Sequence, residues 1–175
     1  MAATSFGDPN LVWQKVFQFT SGQASSGVSG AVSPGTVNAL RALKLQLSTH
    51  KRPDLQFFTF SEADVDIASS GFTGPTGAYR IYAAYGKKSS TGTTVAFLEF
   101  RNQINTTYGT GATGVLLSMR FSGPGDEGLY INNTGLPFTQ TTGSGITSAT
   151  TINGATSTAA DNNSQHGFIV IGPNS

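Results

Sequence analysis

Apolar side chains in this chain recur at every second position, in short runs cut off by Gly, Pro, Ser, Thr and Asn. A period of two sends alternate side chains to opposite faces of an extended strand, and the turn-formers between runs fold one strand back on another. The pattern is continuous from about residue 40 onward. Leu43, Leu45 and Leu47 alternate with Lys44, Gln46 and Ser48, Lys51–Asp54 offers a turn, and Leu55–Phe60 resumes. Residues 43–60 therefore read as a β-hairpin, although the spacing of Val37, Leu40 and Leu43 also suits a short helical turn. Glu62, Asp64 and Asp66 alternate with apolar residues, as in a rim strand whose charges discourage edge pairing.

Ala78–Tyr85 and Thr94–Phe100 flank a Gly/Lys/Ser/Thr loop and read as a second hairpin. Strict alternation places Tyr79, Ile81 and Ala83 on one face of its first strand, with Arg80, Tyr82 and Ala84 on the other. In its second strand Val95, Phe97 and Glu99 oppose Ala96, Leu98 and Phe100. Further strands are expected over Gly114–Phe121 and Gly128–Asn132, joined by a Gly-rich turn that contains Asp126 and Glu127. The stretch 139–165 is nearly all Thr, Ser, Gly, Ala and Asn, so it reads as a surface excursion with one thin strand at most. His166–Ile171 is a continuous apolar run and is expected to be a central strand. The sum is a mainly β chain, an antiparallel β-sandwich or jelly roll.

The N-terminal part differs. Leu11–Phe19 reads as a strand with Leu11, Trp13, Lys15, Phe17 and Phe19 on one side, followed by a Gly/Ser-rich linker over residues 20–30. Residues 1–35 are thus expected to form an N-terminal extended arm and linker, and residues 36–175 the β-sandwich domain. The apolar segment either docks on another chain or serves as the first strand of the domain. Docking would bury Trp13, Phe17 and Phe19 against a partner. Both faces of Tyr79–Tyr85 and Val95–Phe100 carry apolar groups, which adds Tyr82 and Tyr85 to the expected subunit contact and points to a homo-oligomer.

Charged residues make up only 11% of the chain, against roughly a quarter in an ordinary soluble domain. Hydroxyls, amides and the 22 glycines take their place, giving a surface that is cheap to desolvate and to order against a neighbour. The net charge of +1 supplies no field to attract nucleic acid or an anionic membrane. Absence of Cys removes thiolate chemistry and Cys-based zinc sites. Met1–Pro9 lacks the basic and apolar regions of a signal peptide, so synthesis in a cytosol without general secretion is expected.

Catalytic constellations are weak. His50 sits in a turn and His166 opens a strand, with no nucleophile elbow between a strand and a helix. Glu62, Asp64 and Asp66 would share one face of a strand and could gather Ca²⁺, but the solvated rim is the preferred reading. Gly109–Gly114 matches a phosphate-loop string only in its letters, since a strand follows it. Tyr79, Tyr82, Tyr85 and Tyr108 with Trp13 could form a sugar-stacking platform, which keeps a carbohydrate-binding module as the alternative function. No catalytic, cofactor-binding or metal-binding residue is assigned, and no enzyme activity is expected.

With its Met1 start, its lack of Cys and its Gly/Ser/Thr/Asn-rich strands, notably Ala78–Tyr85 followed by Lys87–Arg101, the chain resembles the head decoration, or cement, proteins of tailed bacteriophages. The resemblance implies a virion structural protein that binds the major capsid protein lattice from outside. It implies a homo-oligomer, with a trimer expected, and neither a cofactor nor a direct nucleic-acid or membrane partner.

Overall fold

The computed structural model describes residues 9–20, 32–49, 55–60, 70–71, 77–88, 95–101, 115–140, 145–149 and 165–173. Among the described residues two helices, α1 (Pro9–Thr20) and α2 (Pro34–Thr49), precede eight strands. The strands are β1 (Gln56–Phe60), β2 (Ser70–Gly71), β3 (Gly77–Lys88), β4 (Ala96–Arg101), β5 (Val115–Phe121), β6 (Glu127–Gln140), β7 (Gly145–Ala149) and β8 (Gln165–Pro173).

The strands form two four-stranded antiparallel sheets, ordered β1-β8-β3-β6 and β2-β7-β4-β5. The pairs β1 with β8, β2 with β7, β3 with β6 and β4 with β5 are nested one inside the next. The chain is thus doubled back once between β4 and β5 and then rolled, so that β8 joins β3 and β7 joins β4. This is the jelly-roll arrangement of two interlocked sheets. The mainly β reading holds, and β8 occupies the central position expected of a continuous apolar strand.

Neither expected hairpin forms. Among the described strands only β4 and β5 are both consecutive and hydrogen-bonded. Residues 43–49 end α2 and do not pair with β1, whose partner is β8. The strands β3 and β4 lie in opposite sheets and meet face to face. Gly86 on β3 makes this approach possible: a Cβ there would stand 2.6 Å from Leu98 Cδ2 and 3.0 Å from Phe121 Cζ. A local reading of the Gly/Ser/Thr run between them expects a tight turn within one sheet, whereas the two strands belong to different sheets.

Two cores lie on either side of the first sheet. Between the sheets, Phe58, Ile81, Ala84, Leu98, Phe100, Phe121, Ile169 and Ile171 are buried. On the outer face, Phe57, Tyr82, Ala83, Tyr85, Phe168 and Val170 pack with Val12, Trp13 and Val16 of α1 and Leu40, Leu43 and Leu47 of α2. The architecture is therefore three layers, helices on sheet on sheet.

The alternation in β3 is broken by a bulge. Its register shifts between Ile81 and Ala83 against both β6 and β8. Tyr79, Ile81 and Ala84 consequently face the inter-sheet core, while Tyr82, Ala83 and Tyr85 face the helices. The expected faces are corrected at Ala83 and Ala84, because one extra residue inverts the parity of everything after it. Opposite the bulge, β6 makes its own excursion between Ile131 and Leu136. Asn132 Oδ1 accepts from the Thr134 and Gly135 amides at 3.0 and 3.1 Å, and Gly135 takes φ +75°. Arg80 donates to the carbonyls of Thr134 and Gly135, both at 3.1 Å, fastening the excursion to β3.

Segment 9–20 is a helix and not an extended arm. Val12, Trp13, Val16 and Thr20 are buried while Gln14, Lys15 and Gln18 are exposed, a spacing that follows the 3.6-residue turn. Pro9 opens the helix, where its missing N–H is no loss. The helix reading wins because it gathers the buried residues on one stripe against the sheet, whereas an extended arm would scatter them. The expected boundary at residues 35/36 falls inside the first turn of α2, and residues from both sides of it share one core. The rim strand with Glu62, Asp64 and Asp66, together with His50 and Tyr108, lies outside the described residues.

Candidate functional site: the polar row beneath the helices

The start of α2 explains how the helical layer is held. Ser33 is the N-cap: its Oγ accepts from the Thr36 amide at 3.3 Å, and its carbonyl accepts from the Val37 amide at 3.1 Å. Pro34 takes the first helical position. Leu40, Leu43 and Leu47 then recur on the buried stripe, while Leu45 is 67% exposed.

A carboxylate from the far half of the chain meets this helix start. Glu127, the first residue of β6, accepts from the Ser33 amide at 3.5 Å, the Thr36 hydroxyl at 3.4 Å and the Tyr85 phenol at 2.9 Å. The preceding turn aims it: Asp126 Oδ2 accepts from the Ser122 and Gly123 amides at 2.7 and 2.9 Å, and the Asp126 carbonyl accepts from the Lys88 amide at 2.8 Å. Asp126 and Glu127 were expected together in a turn. The structure separates them, with Asp126 closing the turn and Glu127 opening the strand. Burial pushes the Glu127 carboxyl up, but hydrogen bonds from Ser33 and Tyr85 and the charge of Lys87 outweigh it and hold the group below the ordinary range. Tyr85 is shifted the opposite way, by burial first and then by its bond to Glu127 and that group's charge, so its phenol stays protonated.

Sheet register extends this contact into a row. Lys87 of β3 pairs with Glu127 on one side and with His166 of β8 on the other. His166 is 2% exposed, and neither ring nitrogen has a hydrogen-bond partner among the described residues. Burial, and then the charge of Lys87, lower its pKa to about 4, so the imidazole is neutral at pH 7. The next cross-strand pair on the same face is Tyr85 and Phe168, whose rings stack at 5.5 Å. One end of the helix–sheet interface is therefore polar and titratable, and the remainder is aromatic and aliphatic.

Other buried polar groups stand apart from this row. Lys88 is 1% exposed and its Nζ has no acceptor among the described residues, but it stands two positions beyond Gly86, on the inter-sheet side of β3. On the outer face of the second sheet, Glu99 and Arg101 form a buried ion pair beside Ser118, the cross-strand partner of Glu99. Composition gives no hint of this pair, which appears only once β4 is placed in the sheet.

The residues expected to contact a partner are not gathered on a surface. Trp13, Tyr82 and Tyr85 are buried in the chain's own outer core. Phe17 is half-buried, stacked on Trp13 at 6.1 Å with Lys44 Nζ 5.9 Å from its ring centroid. Phe19 belongs to α1, and its side chain lies outside the described part. The second apolar face of β3, expected as a subunit contact, is covered by α1 and α2 of the same chain. Among the described residues no group of His, Asp and Glu is arranged to hold a metal ion, and no helix is long and apolar enough to cross a membrane. No family model, curated protein or solved structure matches this chain.

Proposed function

We propose that the chain is a non-enzymatic virion structural protein that binds an assembled capsid lattice and stabilises it. The observation that carries the reading is the nested jelly-roll strand order, an architecture that serves in capsid and lectin domains. Composition supports the structural role. With 11% charged residues and many Gly, Ser, Thr and Asn, the chain presents groups that another protein surface covers at little desolvation or entropy cost. A subunit that binds the closed lattice and not its open form stabilises it by mass action, and symmetric copies add avidity. A homo-oligomer, with a trimer expected, fits that role.

The carbohydrate-binding alternative loses most of its footing. Trp13, Tyr79, Tyr82 and Tyr85 are each 8% exposed or less, so these rings cannot stack on a sugar.

Sedimentation velocity of the purified chain, alone and mixed with undecorated heads of tailed phages, tests the proposal. An oligomer that co-sediments with heads and raises their resistance to heat is expected. A chain that stays monomeric and in the supernatant contradicts it.

A further inference from the structure

We propose that the helical layer is an acid-released lid, held to the first sheet by Glu127 and loosened when Glu127 and His166, which flank Lys87 in the sheet register, take up protons. This inference is independent of the virion reading and concerns only how the layers separate.

The geometry divides the interface into two unlike parts. Most of it is an apolar contact of α1 and α2 with Phe57, Ala83, Phe168 and Val170, which carries no charge to titrate. The remaining end depends on charge. Glu127 is the only acidic group in the described residues that reaches α2, and it bonds at once to the helix start and to the sheet through Tyr85. As a carboxylate it complements the positive end of the α2 dipole. Protonation removes that charge and turns an acceptor-only group into one that must also donate.

His166 acts in the same direction. Lys87 of β3 faces it directly, and Glu127 of β6 stands one strand further on. Tyr82 and Tyr85 are the other ionisable side chains of β3 on this face, and Tyr85 is tied to Glu127. The first turn of α2 contributes no acid, and β1 contributes no ionisable residue over Gln56–Phe60. Lys15 of α1 and Arg41 of α2 are exposed, and Lys44 lies over Phe17. An imidazolium at position 166 would thus be a buried cation whose nearest charged neighbour on the sheet is another cation, with no hydrogen-bond acceptor among the described residues. Acid weakens the clasp at Glu127 and adds repulsion at His166, both at the same end of the lid. Among the described residues the inter-sheet cluster on the other side of β3 and β8 contains no carboxylate and no imidazole, so this core is left in place.

The lid carries its own reporter, because Trp13 is the sole tryptophan and is 2% exposed in α1. Its emission should be followed from pH 7.5 to 3.5, together with hydrogen exchange of peptides from β4 and β5. The proposal expects Trp13 emission to shift to the red while β4 and β5 stay protected. His166→Phe should lower the midpoint of that shift by about half a pH unit or more. His166→Gln provides the same test with a polar side chain should the phenylalanine disturb packing. Glu127→Gln, which lacks the carboxylate at every pH, should raise the midpoint. Loss of Trp13 burial and of β4/β5 protection at one common midpoint overturns the proposal. So does a midpoint that neither His166 variant moves.

Discussion

The phenol of Tyr85, in the middle of a four-stranded sheet, donates 2.9 Å to the carboxylate of Glu127, which in turn accepts from the first turn of α2. This bond joins the two layers through a group that is otherwise walled in by Phe168 and the helices. Replacing Tyr85 with Phe keeps the ring and its stacking but removes the donor. Hydrogen bonds to charged groups are worth about 1.5–3 kcal/mol, so Tyr85→Phe should lower unfolding stability by roughly that amount. Urea titration followed by Trp13 emission checks it, and an unchanged midpoint would mean that the bond contributes nothing net.

Stability should also fall in acid, with two distinguishable components. His166 has its pKa lowered to about 4 in the folded chain, against 6.5 for an unperturbed His. The unfolded chain therefore takes up this proton first, and stability drops as pH falls from about 6.5 to about 4, by up to about 3 kcal/mol. Glu127 is lowered as well, so its contribution is present above the ordinary carboxylate range and is lost as pH falls through its folded value. Urea midpoints measured across this range should decline throughout, and His166→Phe should flatten the upper part only.

The helical layer should behave as core. Trp13→Ala and Leu40→Ala each leave a cavity against the first sheet, costing about 3–5 and 2–5 kcal/mol respectively. Leu45, on the same helix as Leu40 but 67% exposed, should tolerate Ala within about 0.5 kcal/mol. Deleting residues 1–20 should lower the melting temperature without abolishing the two-sheet fold, because it uncovers the aromatic face of β3 and β8. Thermal melts of the four proteins give the comparison.

These features differ in how far residues alone disclose them. The central place of β8 was legible because Phe168–Ile171 is apolar on both faces, and only a strand covered on both sides needs that. Only α2 was partly legible: Val37, Leu40 and Leu43 fit a helical turn, yet Leu43, Leu45 and Leu47 also alternate, and the segment of α1 read as a strand. Burial decides between them by leaving Leu45 outside. The bulge at Tyr82 was not legible, since nothing in Arg80-Ile-Tyr-Ala-Ala marks where the register slips. The pairing was hidden for a physical reason: nested long-range pairs such as β1 with β8 leave no local trace, whereas a Gly/Ser loop between two strands looks like a hairpin whichever sheet each strand joins. Glu127 went unrecognised because its partners Ser33 and Thr36 lie more than ninety positions away.

Sheet-on-sheet contact makes a further demand at Gly86. Any side chain there must displace Leu98 and Phe121 from the inter-sheet core. Gly86→Ala should cost about 1–3 kcal/mol through overpacking. Pairing it with Leu98→Ala should recover part of that loss relative to the sum of the single variants, which a double-mutant cycle measures directly.

The central functional claim is that this jelly roll associates with copies of itself and with a shell. Its most direct test is sedimentation velocity from low to high micromolar concentration, followed by co-sedimentation with undecorated tailed-phage heads. The account predicts a discrete oligomer, a trimer, that pellets with the heads and saturates at a fixed ratio to their subunits. A monomer at every concentration that never pellets with heads would contradict it.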